Sequence, residues 1–374
     1  MKNIIVTGDV TADWNIARLE KGKGSGQIWT AVDRSRASLQ AGGAAMLGEL
    51  IKCSLKDKVK EIKVHCETLP TEIRSDDKGI HHSYAIWKPQ PYSMNSKQQS
   101  WRVAEFIGID SFCGGDSIDS CIYKPMENLP SYADIVVIDD AGLGYRAKPG
   151  VWKKVFNEKK PPEWIVVKMS SPVPDDKSDT LWQHLKAKHA DRTMIITTLN
   201  DLRKNRIQVS REQSWEKLAQ ELYWELINNP QISSLSEMAY VVISIGPEGA
   251  FVLHRTGKPE PKLECTLYFD PIYFENSWNK DYPGSMIGYT VCQTAALVKE
   301  LALDPKNPDI SRGIKTGING MRELHKAGYG SDSCKEIESL QFPYAKVVDA
   351  FNKEAGIAAA EVPNLSDTAD NNSY

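Results

Sequence analysis

The chain has 374 residues, 41% of them hydrophobic and 25% charged, enough apolar material to bury one large core. Its 46 Lys and Arg against 49 Asp and Glu leave a net charge of -3 without a long basic block, which argues against a nucleic-acid partner. Seven scattered cysteines with no Cys-x-x-Cys pair fit reduced thiols, and the adjacent His81 and His82 lack zinc-site spacing.

In chain order, Asn3 to Thr7 is a continuous apolar run of the kind buried on both faces of a parallel sheet, and it ends at the turn Gly8-Asp9. That opening run is too short for a signal-peptide core or a membrane span, so a cytoplasmic protein with no membrane partner is expected. Between 62 and 109 the hydrophobics become isolated, as in Ser83 to Trp87 and Trp101 to Ile107, which predicts the half-exposed strands of a small β lid. Ile135 to Ile138, Trp164 to Lys168, Met194 to Thr197 and Tyr240 to Ile245 repeat the buried-strand pattern. Their following turns are Asp139 to Gly142, Met169 to Ser171, Leu199 to Asp201 and Gly246 to Gly249. In an open α/β sheet such turns gather at the carboxyl edge, where ligands bind.

Helices are expected at Ser214 to Asn228, behind a serine cap, and at Ile310 to Lys326. A third, Val291 to Leu301, follows the glycine-bearing turn Pro283 to Thr290. A turn of that kind aims bare N–H groups and the positive end of a helix dipole at one spot, which suits an anion. The expected organisation is one α/β domain over 1–330, then a C-terminal extension over 331–374. Within the extension, Phe342 to Phe351 is one packed element and the polar stretch 363–374 is disordered.

The order of these turns resembles the ribokinase/PfkB carbohydrate kinases, and the first third is most similar to the kinase domains that act on heptose phosphates. Ile4-Ile-Val-Thr-Gly-Asp-Val-Thr-Ala-Asp13 looks like the family's first strand and sugar-binding aspartate. Gln40-Ala-Gly42-Gly43 looks like its Gly-Gly substrate motif, and Lys97-Gln-Gln-Ser-Trp-Arg102 like a segment whose arginine meets a phosphate-bearing substrate. Ala133 to Gly144 is similar to a strand ending in an aspartate and a glycine turn. Gly246-Pro-Glu-Gly249 matches the turn that lines the nucleotide site, and the helix carrying Gly-Ile-Asn-Gly320 matches the one flanking adenine.

The resemblance implies a ribokinase-like doubly wound, mostly parallel sheet with helices on both faces and a β lid. It implies ATP or another nucleotide as cofactor, Mg²⁺ if the protein is active, a small-molecule sugar or nucleotide partner, and a homodimer through the lid. The sites it assigns are Asp13, Gly42, Gly43 and Arg102 for substrate, Asn200, Arg203, Gly246 and Gly249 for nucleotide, and Gly284, Ser285, Gly288 and Tyr289 for the anion hole.

Two departures matter. The family's Gly-Ala-Gly-Asp carries a general base, and here Tyr289 stands at the aspartate's position. Tyrosine, with a pKa near 10, is a poor base at neutral pH. The family's Asn-x-x-Glu reads Asn200-Asp-Leu-Arg203, with a cation where the acid belongs. Two readings stay open: a nucleotide- or sugar-phosphate-binding protein with impaired phosphotransfer and a regulatory or sensing role, or an active sugar or nucleoside kinase using Asp281 or Asp140 as a displaced base. A third is another doubly wound enzyme in which the glycine turns are coincidental.

Overall fold

The computed structural model describes residues 1–20, 34–66, 100–106, 129–142, 145–147, 149–174, 179–209, 214–257, 262–270, 288–327, 329, 341–353 and 356–362, with 11–20, 34–39, 100–106 and 151 given as backbone. Asp281, Gly284, Ser285, the run 83–87 and the tail 363–374 lie outside them.

The chain runs from β1 (Lys2–Gly8) into β2 (Val10–Glu20), β3 (Arg34–Gly42) and α1 (Gly43–Ser54), then β4 (Ile62–Cys66) and β5 (Ser100–Phe106). Next come β6 (Ile135–Asp140), the short α2 (Pro149–Trp152), β7 (Trp164–Met169), α3 (Thr180–His189), β8 (Thr193–Thr198), α4 (Leu199–Lys204) and α5 (Trp215–Asn228). The last third holds β9 (Tyr240–Gly246), β10 (Gly249–Thr256), β11 (Lys262–Phe269), α6 (Tyr289–Leu303), α7 (Ile310–Lys326), α8 (Tyr344–Phe351) and β12 (Ala358–Val362).

Nine strands form one sheet in the order β12-β11-β10-β9-β8-β7-β6-β1-β4. The six from β4 to β9 are parallel to their neighbours, and β10, β11 and β12 add an antiparallel wing. The five apolar runs are its central strands because each supplies both faces. Ile4, Val6, Ile135, Val137, Val166, Met194, Ile196 and Val242 enter one core with α1, α6, α7 and α8. The alternate residues Ile5, Val136, Ile138, Ile165, Val167, Ile195, Val241 and Ile243 enter a second core under α2 to α5. This is the doubly wound, mostly parallel α/β architecture read from the sequence.

Local signals fix the helices. Ser214 caps α5 by accepting the Lys217 N–H, and Trp215, Leu218, Leu222 and Leu226 form its buried stripe. Asp309 caps α7 through the Arg312 N–H at 2.9 Å. Helix α6 is buried on nearly every side because it lies against the central strands with α1 and α7 beside it.

Three strands pair apart from the main sheet in the order β3-β2-β5, all antiparallel. Two of them come from residues 10–42, upstream of the 62–109 range in which the lid strands are expected. Within that range β5 joins the small sheet, whereas β4 pairs with β1 as an edge of the main one. Its Ile62 faces the core while Lys63 is exposed, the same alternation a lid strand shows. Residues 342–353 and 356–362, within the expected C-terminal extension, pack on the main sheet. Phe342, Val347, Val348 and Phe351 complete the first core, and β12 pairs with β11.

Candidate functional site

Strand β1 sits between β4 and β6, because the chain leaves it toward β4 and returns on its other side. Strand order therefore reverses at β1 and β6, whose carboxyl ends form the crevice where open α/β sheets place ligands. There the two strands touch closely. Gly8 has φ +132° and an added Cβ would lie 2.1 Å from the Asp139 carbonyl oxygen. Asp9 follows, wholly buried. Its N–H donates to the Asp139 carbonyl, its Oδ2 accepts from the Ala141 N–H, and its carbonyl accepts from the Ala44 N–H, each at 2.8 Å. Asp9 thus joins the β6 turn to the start of α1, where Gly42 and Gly43 lie.

The same edge holds a buried network of charge. Lys168 Nζ is 2.6 Å from Asp139 Oδ1. Arg146 reaches Asp140 with Nε at 3.0 Å and Asp179 with Nη1 at 2.8 Å, while Asp179 caps α3 through the Trp182 N–H. Asp140 is 1% exposed. Burial pushes its carboxyl up to about 7; Arg146 opposes this, Asp9 adds to it, the Gly142 N–H opposes it and Asp139 adds again.

Helix α6 starts at Gly288, which adopts φ +82°. An added Cβ there would lie 2.9 Å from Phe342 Cε2 and 3.0 Å from Leu324 Cδ2, so glycine is required both by conformation and by space. The helix has no acidic residue in its first turn, and Gly288 at its start has no side chain with which to cap that turn's amides. Tyr289 is 2% exposed and packs in the core, with its hydroxyl 3.5 Å from His325 Nδ1. Burial holds His325 below its ordinary value and therefore neutral at pH 7.

At the far end of the edge, Arg322 of α7 donates Nε to the Pro247 carbonyl and pairs with Asp270, whose N–H donates to the Glu248 carbonyl. These bonds hold the turn from Gly246 to Gly249. Asn200 lies in the first turn of α4. Thr198 caps that helix by accepting the Asp201 N–H and donates its own hydroxyl to Asp201 Oδ2, and Arg203 donates Nε to the Val209 carbonyl at 2.9 Å, which ties it to the loop that follows. The Gly317 and Gly320 faces of α7 meet Gln293 and Phe351, so those glycines admit neighbouring helices.

In the small sheet, Asp13 stands opposite Gln40 and Ala104, and Arg102 opposite Asn15. Asp140, Gly42, Gly43, Gly246, Gly249, Asn200, Gly288 and Tyr289 thus belong to elements that open on one edge of the fold. Sequence reasoning missed Asp9, Arg146, Lys168 and Gln40 as partners. For Asp9 the signal was present, an acid directly after the first buried strand.

Among the described residues, no group of three His, Cys, Asp or Glu is placed to hold a metal ion. Asp139 and Asp140 are each paired with a cation and Asp201 accepts from the Thr198 hydroxyl, so these carboxylates do not fit a resident Mg²⁺. No described helix is long and apolar enough to cross a membrane.

No known family model matches the chain, and no curated protein does. Solved structures match at low identity over nearly the whole length. One is a nucleoside kinase of Methanocaldococcus jannaschii, described as an archaeal member of the ribokinase family, at 11% identity and a TM-score of 0.40, covering 95% of this chain and 99% of that one. A 2-dehydro-3-deoxygluconokinase of Thermotoga maritima matches at 9% and 0.39, covering 94% and 98%. An aminoimidazole riboside kinase of Salmonella enterica matches at 9% and 0.38, covering 94% and 99%. At such distances, function has to be read from this chain's own residues.

Proposed function

We propose that this protein binds a nucleotide or sugar phosphate along the carboxyl edge of its main sheet and transfers phosphoryl groups poorly, in a sensing or regulatory role. The observation that carries the reading is Tyr289. At the first position of α6, where the resemblance puts the anion hole, the side chain is buried in the core, where it can neither accept a substrate proton nor approach a phosphate. The order of the sequence motifs, the reversal of strand order beside Asp9 and the retained Gly42-Gly43 and Gly246 to Gly249 turns support binding. ATP or a related nucleotide is the ligand class, with Mg²⁺ brought by its phosphates.

One observation favours the alternative of an active kinase with a displaced base. Asp140, near 7, titrates where a base working at neutral pH should. Against it stand its full burial and its pairing with Arg146.

A thermal-shift panel of ATP, ADP, other nucleotides and sugar phosphates, with and without Mg²⁺, tests the binding claim. A ligand at a hundred times its Kd stabilises by about 2.7 kcal/mol whether or not chemistry follows. Stabilisation by a nucleotide without turnover is expected. Phosphoryl transfer at ordinary kinase rates, on the order of 1–100 s⁻¹, would overturn the claim of impaired transfer. A loss of about 10²–10⁴ in that rate in Asp140→Asn would then identify the base.

A further inference from the structure

Gln40 stands in β3 on the rung of Asp13, two residues before Gly42. Both polar atoms of its carboxamide are spent on chain about 300 residues away. Oε1 accepts the Phe342 N–H at 2.9 Å, and Nε2 donates to the Tyr329 hydroxyl. The rings of Tyr329 and Phe342 meet edge to face at 5.4 Å, and both are buried. The Phe342 ring then closes on Gly288, leaving no room there for a side chain. One amide therefore spans from the small sheet to the wedge that fixes the first turn of α6.

The bonds are directional and the wedge is tight, so the two ends are not independent. A shift of β3 relative to the main sheet must either break the bond to Phe342 or carry Phe342 with it. Moving that ring removes the surface against which Gly288 holds its left-handed conformation. We infer that Gln40 is a positioning residue that couples the Asp13 rung of the small sheet to the presentation of the α6 amides. The inference rests on the reading that both belong to one ligand site, and it names the part of the chain that keeps them in register.

The test compares wild type with Gln40→Leu, Tyr329→Phe and the double variant, reading amide hydrogen exchange over 292–295 in the absence of ligand and ATP affinity by calorimetry. The Cys292 N–H, bonded to the Gly288 carbonyl at 3.0 Å, reports directly on the turn. Exchange in Gln40→Leu is expected to rise about tenfold at these amides and not in β6 to β9. ATP affinity is expected to fall about tenfold. Tyr329→Phe, which keeps the ring, gives a smaller change in the same amides. The double variant matches Gln40→Leu, because both substitutions cut one tie. Unchanged exchange at 292–295 in Gln40→Leu, a uniform rise across the sheet, or additive effects would overturn the coupling. Should ATP fail to bind the wild type, the binding claim falls by itself and the exchange pattern still decides the tie.

Discussion

Asp140 gives the sharpest physical test of the buried edge. A carboxyl at about 7 in the folded protein and 3.8 as its ordinary value holds its proton more tightly folded than unfolded. Between those values the folded state binds more protons than the unfolded one, so this group's contribution to stability falls as pH rises from about 4 to 7. It is fully lost above 7. A separation of roughly three pH units corresponds to about 4 kcal/mol of ionisation penalty at pH 8, and full burial leaves no solvent screening to discount it. Asp140→Asn keeps the shape and one acceptor but cannot ionise. Relative to wild type it is expected to be least favourable at pH 5, where Asp140 is neutral and bonded to Gly142, and to gain steadily toward pH 8. Urea melts of both proteins at pH 5, 6, 7 and 8 measure the difference. Parallel stability–pH curves would refute the argument, since they would mean that Asp140 ionises in the fold as easily as in water.

Lys168→Met leaves Asp139 buried beside Asp140 without its 2.6 Å partner and should cost about 3–5 kcal/mol in chemical denaturation; adding Asp139→Asn should recover part of this. His189 is stacked on Phe156 and lowered to about 4, by burial first and then by His184, Arg192 and Lys188. The unfolded chain takes its proton at higher pH, so stability from this group is full above about 6.5 and lost as pH falls toward 4. His189→Phe should flatten thermal-melt midpoints over that window. Tyr289→Asp puts an acid at the first position of α6, but in the core. It should destabilise by about 3–5 kcal/mol in urea melts and create no phosphotransfer in a coupled assay.

Central strands were legible because burial on both faces writes a continuous apolar run, as in Ile135 to Ile138, and a turn ends each one. Of the small sheet only β5 was, in the run from Trp101; β2 and β3 were not, since Val10–Glu20 and Arg34–Gly42 mix polar and apolar residues as a loop does. Strand β12 is Ala358 to Val362, almost featureless, and is a strand because β11 offers it backbone partners. At the site, the glycine turns could be read because backbone approach demands a residue type. The fate of Asp140 could not, because the fold alone turns Arg146 back onto it and holds that guanidinium against Asp179. Nor could periodicity say which way Tyr289 turns at the start of a helix buried on nearly every side.

The first core is finished by elements from opposite ends of the described chain. Met46, Leu47 and Leu50 of α1 share it with Val347 and Phe351 of α8, and Lys2 Nζ donates to the Ala302 carbonyl. Contacts of such sequence separation close late, because a long loop must lose its freedom before they repay it. During synthesis, the apolar face of α1 and its side of the sheet therefore cannot be completely covered until α6, α7 and α8 have left the ribosome. The other core, supplied by α2 to α5 in sequence, can assemble as it emerges. The two faces of one sheet thus mature at different times, and the side that carries α6 matures last.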